Sequence, residues 1–379
     1  MENFTAYNPT KLHFGKNVTD TLGDTAIKFG KRVLLIYGKG SVQRNGIYDK
    51  IVKQLKSVNA EIFEYNGIKS NPIVDDVSEA AQIGKLNNID VIVAVGGGSV
   101  IDSAKITALA IANNTDPWAI MKYKVKPETT IPLIAVLTLA ATGTEMNGAA
   151  VLQNRETAEK IGYVSSLNYP KHSFLDPAFT VTVPKDYTAY GVVDLISHSL
   201  EAFFGEGDAS LSDRFVEAII KEAMKYGPLL LKEPKNYEYR ANIMWAATNA
   251  LNGLTNYGRK NGDWGVHAIG HNISYLFDTP HGATLSIAYI AWLKLQKDRI
   301  PERIKSLGNH LFNTNSIDAT ITKLEDFFKS LDSPVKLSDI NIGKDQQEKI
   351  TKQMIDTEIN GMVHKFSDED RKKIVELIL

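Results

Sequence analysis

The chain has 379 residues, no cysteine and a formal net charge of -1, with 43% hydrophobic and 23% charged residues. This composition suits a globular protein of two domains, each with its own core, and offers no electrostatic case for nucleic acid or an anionic membrane. The lack of cysteine excludes disulfides and thiolate-ligated zinc. No apolar run approaches the roughly eighteen residues of a membrane span, and MENFTAYNPTKLHF has no basic-then-apolar leader, so a soluble, cytoplasmic protein is expected.

Residues 32–37, R-V-L-L-I-Y, read as a first strand that ends at once in G38-K-G-S41. Helical spacing from Ile47 to Ser57 gives way to a strand at 60–65. Past the Asn71-Pro72 turn, a helix is expected over 74–87. D90-V-I-V-A-V95 is nearly all aliphatic, as a strand covered on both faces should be. G96-G-G-S99 breaks that strand and opens a helix over 100–111, and a strand at 131–137 leads into T138-L-A-A-T-G-T-E-M-N147. Alternation at this interval predicts parallel strands with crossover helices. From about Lys185 onward only helical patterns occur, for example 212–226 and 240–251. Residues 337–347 read as loop, and Ser367–Asp370 as the cap of a last helix.

Two features carry chemistry. A glycine run between a buried strand and a helix lets backbone approach a phosphate, which the helix N-terminus attracts. Gly96–Ser99 is such a run, and the pyrophosphate of a dinucleotide is its expected occupant. The alternative is a tight turn with Ser99 capping the helix. It is not the G-x-G-x-x-G/A fingerprint, because position 101 is Ile, and no Gly-Lys-Ser/Thr follows to make a P-loop. The second feature is histidine. Three of the eight, His267, His271 and His281, fall within fifteen residues, the first two one helical turn apart and the third beyond Pro280. Asp194 and His198 repeat the four-residue spacing upstream. Together they offer the ligands of a divalent transition metal, against the plainer reading of satisfied core histidines. Ala268 excludes the H-E-x-x-H protease motif.

G96-G-G-S-V-I-D-S-A-K105, T138-L-A-A-T-G-T-E-M-N147, D194-L-I-S-H-S-L-E201 and H267-A-I-G-H-N-I-S-Y-L-F-D-T-P-H-G282 stand in the order found in the iron-containing, or group III, alcohol dehydrogenases. The chain resembles that family along its whole length, and within it most resembles butanol dehydrogenases and broad-range NADPH-dependent aldehyde reductases. Ala140 departs from the proline usual in that turn. The resemblance implies an α/β dinucleotide-binding domain with a parallel sheet over 1–184 and an all-helical metal-binding, catalytic domain over 185–379, the architecture of dehydroquinate synthases. V181-T-V-P184 is the expected boundary.

Carried over position by position, the resemblance makes Asp194, His198, His267 and His281 the metal ligands and His271 a histidine near substrate and nicotinamide. It makes Gly38, Ser41, Asn71, Gly97, Gly98, Ser99, Asp102, Thr138, Leu139, Thr142, Asn147 and Lys160 the cofactor-binding positions. The implied metal is Fe(II) or Zn(II), and the implied assembly a homodimer with no membrane or nucleic-acid partner. The implied reaction is hydride transfer between a nicotinamide and primary alcohols or aldehydes such as butanol and butanal. A glycerol dehydrogenase-like polyol dehydrogenase, a dehydroquinate synthase-like lyase and a nucleotide sensor without catalysis are the competing readings. Asn147, Gly148, Leu254 and Trp264 suggest an apolar to small-polar substrate environment without clustered cations. NADP(H) is expected over NAD(H), because Gly38 stands where NAD-preferring relatives carry aspartate. No acidic residue lies between Arg32 and Gly46, and Lys39 or Arg44 could add positive charge.

Overall fold

A computed structural model describes residues 1–379. The chain forms two compact units: Tyr7–Val183 with Lys235–Met244, and Met1–Ala6 with Pro184–Pro234 and Trp245–Leu379. Relative to a division into 1–184 and 185–379, Met1–Ala6, Pro184 and Lys235–Met244 change sides. Met244 enters an apolar cluster on the sheet of the α/β unit. At the other end, Phe4 stacks on Tyr257 and the Glu2 N–H donates to the Gly258 carbonyl, which holds the N-terminal residues to the helical unit.

In the α/β unit the strands are β1 (Lys11–Phe14), β2 (Arg32–Gly38), β3 (Glu61–Ile68), β4 (Val91–Gly96), β5 (Leu133–Leu137), β6 (Ala149–Asn154), β7 (Glu159–Val164) and β8 (His172–Leu175). Six form one parallel sheet in the order β1-β8-β5-β4-β2-β3. The helices are α1 (Leu22–Ala26), α2 (Ser41–Arg44), α3 (Ile47–Ser57), α4 (Val74–Leu86), α5 (Gly98–Ala112) and α6 (Pro117–Met121). Leu34, Ile36, Ile92 and Ala94 pack with Ala80 of α4 and Val100, Ile101 and Ala104 of α5. The alternate residues Val33, Leu35, Val91, Val93 and Val95 pack on the other face with Leu22, Ile47, Ile51 and Leu55 of α1 and α3. Both faces are dry, which is why β2 and β4 read as unbroken aliphatic runs.

A hairpin not expected from the sequence, β6–β7, pairs antiparallel and packs Ala150, Leu152 and Tyr163 on Ile106, Leu109 and Ala110 of α5. With the sheet on one side and this hairpin on another, α5 is buried continuously from Val100 to Ala110.

The helical unit comprises α7 (Lys185–Phe203), α8 (Ser210–Lys232), α9 (Tyr237–Ala250, whose residues up to Met244 belong to the α/β unit), α10 (Gly265–Phe277), α11 (His281–Gln296), α12 (Pro301–Phe312), α13 (Ile317–Ser330), α14 (Gln347–Asp356) and α15 (Asp368–Ile378). Residues 337–346 contain only short 3-10 turns before α14 opens at Gln347, and Ser367 with Asp370 forms a reciprocal capping box on α15. No helix is long and apolar enough to cross a membrane.

Candidate metal centre and nucleotide-binding turn

Three helices bring one carboxylate and three imidazoles together in the helical unit. On α7, Asp194 and His198 are one turn apart and both buried. His267 lies in the first turn of α10. That helix ends at Asp278, in a left-handed conformation (φ 51°), and Pro280 then starts α11, so His281 returns beside the other two histidines as its first residue. The Nε2 atoms of His198, His267 and His281 lie 3.6, 3.9 and 3.9 Å from Asp194 Oδ1. Ligand atoms of Asp194, His267 and His281 all fall within 4.8 Å of one another.

A tetrahedron built on bonds of about 2.1 Å has edges of about 3.4 Å, so the three Asp194 distances are a few tenths of an ångström longer than in a loaded site. The wider separations, up to 4.8 Å, would close by roughly an ångström as the imidazoles draw in around a cation. His267 Nε2 is buried with no hydrogen-bond partner, an orphaned acceptor that a metal would satisfy. Burial holds the imidazolium forms of His198 and His267 at a disadvantage, the latter with its pKa pushed down to about 3, so both stand neutral and ready to ligate. The His281 side chain is 25% exposed, against 4% for Asp194, so the cluster is accessible from the His281 side.

His271 sits one turn beyond His267, its ring centroid 5.1 Å from that of His281 and 6.3 Å from that of His267. The ligand atoms within 4.8 Å of one another include neither His271 nor His198, but His198 Nε2 lies 3.6 Å from Asp194 Oδ1. The sequence reading gave no role to Glu201, seven residues after Asp194 and so on the same face of α7. It accepts from His267 Nδ1 at 2.9 Å and from the backbone N–H groups of His267 and Trp264 at 3.0 and 2.6 Å. Burial pushes its carboxyl up to about 8 against the pull of those N–H donors.

Close helix contact fixes His281. A Cβ on Gly282 would come within 2.3 Å of the Tyr190 carbonyl oxygen on α7. Gly282→Ala must therefore lift the first turn of α11 away from Asp194. We expect it to lower stability by about 1–3 kcal/mol and to weaken metal binding, read as a drop in denaturant midpoint at unchanged m-value and in metal content. An unchanged midpoint would mean that the two helices separate freely here.

In the α/β unit, β4 runs directly into α5 through Gly96 and Gly97. The first-turn N–H groups of such a helix lack intrahelical partners and favour an anion. The expected cap is different from the observed one: Gly97 is the N-cap, and Ser99, inside the first turn, donates its hydroxyl to the Ser70 carbonyl. The Thr138–Asn147 loop closes over this turn, since a Cβ on Gly98 would meet Thr142 at 2.8 Å and one on Gly97 would meet Leu139 at 3.2 Å. Lys160 on β7 donates to Asn71 Oδ1 at 2.8 Å, tying two expected cofactor positions together. Gly38 ends β2, and Gly40, in a left-handed conformation, leads into Ser41 at the start of α2.

Two further expected cofactor residues, Asp102 and Asn147, also make hydrogen bonds within the protein. Asp102 is buried and accepts from the Thr144 hydroxyl and the Val151 N–H. The Asn147 amide donates to the Gly143 carbonyl and accepts from Ala149 N and Lys105 Nζ. Lys105, another residue without an expected role, is fully buried, and its ammonium also reaches Thr144 Oγ1 and the carbonyls of Asn147 and Ala149. Burial lowers its pKa to about 8. These groups shape the loop from within. Gly148, proposed near substrate, is packed against the Ser165 carbonyl and the Tyr169 ring.

Residues 9–177 match the family model for iron-containing alcohol dehydrogenase, and residues 188–379 match that for the C-terminal part of the Fe-containing alcohol dehydrogenase family. A probable NADH-dependent butanol dehydrogenase of Bacillus subtilis is 38% identical over 100% of this chain and 99% of its own length. The NADPH-dependent aldehyde reductase of Escherichia coli is 36% identical over 90% of each. A crystal structure described as NADH-dependent butanol dehydrogenase A from Thermotoga maritima superposes with a TM-score of 0.96 at 38% identity, over 100% of this chain and 99% of that one.

Proposed function

This chain belongs to the iron-containing alcohol dehydrogenases, and from that premise we propose that it is an NADP(H)-linked reductase of uncharged aliphatic aldehydes, acting at a divalent metal held by Asp194, His198, His267 and His281. The observation that carries this reading is the convergence of three imidazole Nε2 atoms on one buried carboxylate.

A divalent cation bound there supplies Lewis-acid polarisation of the substrate oxygen. Asp194 brings the one formal negative charge among the four side chains, so the loaded site keeps a net charge of +1 and favours an oxygen gaining negative charge. The reaction moves a hydride from the dihydronicotinamide to the carbonyl carbon and a proton to its oxygen, leaving alcohol and oxidised cofactor. His271, beside His281, is the group suited to hold or pass that proton at a ring nitrogen. Because reduction consumes a proton, it is favoured at neutral rather than alkaline pH.

Substrate charge follows from the neighbourhood. Asp194–Glu201 and Trp264–His281 contain no Lys or Arg, so nothing there would pair with a phosphate or a second carboxylate. The same lack speaks against a lyase of phosphorylated sugar acids. Steady-state oxidation of NADPH and of NADH with butanal, a dicarboxylate semialdehyde and a phosphorylated aldehyde tests the proposal. Butanal is expected to give the highest kcat/KM. Clearly faster turnover of either anionic substrate would overturn it.

The names of the relatives divide over the nicotinamide, so the preference for NADP(H) is argued from the first loop of this chain. Lys39 and Arg44 are exposed there, and the Arg44 guanidinium lies 3.5 Å from where a Cβ on Gly40 would stand. No carboxylate on the loop opposes a 2′-phosphate.

A further inference from the structure

The contacts of Glu201 point to a task beyond that of a buried helix residue. Its Oε1 accepts both the backbone N–H of His267 and the His267 Nδ1–H, and its Oε2 accepts the backbone N–H of Trp264. Each carboxyl oxygen already accepts a backbone N–H, so both act as acceptors, and the proton of the shared imidazole contact sits on Nδ1. That leaves the lone pair on His267 Nε2, the buried and otherwise unpartnered atom 3.9 Å from Asp194 Oδ1.

The same carboxyl group satisfies donors at the start of α10, where His267 lies in the first turn and Trp264 is the N-cap in a left-handed conformation (φ 63°). The Glu201 carbonyl also accepts the Asp263 N–H. The Asp263 carboxylate in turn accepts the N–H groups of Gly265, Val363 and His364, so the entry to α10 is braced from both sides. One side chain of α7 thus sets the backbone position, the tautomer and the ring orientation of a candidate ligand on another helix.

We propose that Glu201 is the positioning residue of the metal centre, holding His267 with Nε2 aimed at the cation and making it a stronger donor through the Nδ1–H contact. This rests on the metal-site reading above. Carboxylate partners of this kind, when removed, cost about 10–100-fold in metal affinity, and that is the expected effect here.

The test uses the whole protein, stripped of metal and titrated with Zn(II) against a chromophoric chelator. The wild type, Glu201→Gln and Glu201→Ala are compared, with Co(II) absorption spectra and thermal unfolding of the metal-free forms. Gln keeps an oxygen for His267 but puts an amide NH2 where Oε2 accepts the Trp264 N–H, so its Kd should rise about tenfold, and Ala, if it folds, should approach about a hundredfold. Both should alter the Co(II) spectrum, and the Gln variant alone suffices if the Ala variant does not fold. Wild-type affinity and spectrum in Glu201→Gln, with only the metal-free unfolding midpoint lowered, would reduce Glu201 to a helix cap and overturn the positioning role. A wild type that takes up no divalent ion would overturn the metal-site reading along with it.

Discussion

His267→Ala is expected to lose its metal and to fall roughly a thousandfold in turnover, whereas His271→Ala should keep the metal. The first substitution removes the atom that faces Asp194 Oδ1 at 3.9 Å from within a buried cluster. Lewis-acid stabilisation is worth several kcal/mol, and at about 1.4 kcal/mol per tenfold that amounts to roughly three orders of magnitude. His271 is one turn further along α10 and outside the converging group. Its loss should alter the rate or the pH profile at near-normal metal content. Exhaustive chelation of the wild type should abolish activity, and Fe(II) or Zn(II) should restore it. Elemental analysis beside kinetics separates the roles. Metal lost from His271→Ala but retained in His267→Ala would reverse the assignment.

Gly38→Asp is expected to lower kcat/KM for NADPH by about 10–100-fold while changing NADH far less. Juxtaposed like charges in a recognition site cost several kcal/mol, and solvent screening at the exposed loop reduces the figure. The substitution is structurally mild. A Cβ at Gly38 would meet only the Ile68 carbonyl at 3.4 Å and Val100 Cγ2 at 3.7 Å, both ordinary contacts, and its φ lies outside the left-handed region. A drop in NADPH use would therefore report on charge at the 2′-phosphate, not on misfolding. The complementary observation is the wild-type preference itself. A wild type with higher kcat/KM for NADH, or a Gly38→Asp variant that still prefers NADPH, would show that this loop does not read the ribose.

Why some elements were legible and others not follows from particular residues. The aliphatic run of β4 gave itself away because both faces of the sheet are covered. The β6–β7 hairpin did not, because its turn carries no Asn-Gly or Asp-Gly signal. Ala158 takes the left-handed conformation (φ 54°) that usually calls for glycine. Strands β1 and β8 have four residues each, too few for alternation to register. A lysine in a helix reads as surface, yet Lys105 is enclosed because α5 is covered by both the sheet and the hairpin.

The sequence by itself determined that Asp194 and His198 share one face of a helix, that His267 and His271 share another, and that a glycine run joins a buried strand to a helix. These follow from local periodicity and backbone freedom, which need only near neighbours in the chain. Tertiary structure alone decided that the two helical faces meet, that ligand atoms of Asp194, His267 and His281 come within 4.8 Å of one another, and that Glu201 accepts from His267 Nδ1. It also gave Asp102 and Asn147 their hydrogen bonds to the loop beside the glycine turn. The physical reason is that a ligand set or a buried hydrogen-bond network exists only where packing of distant segments excludes water and leaves each polar atom one available partner.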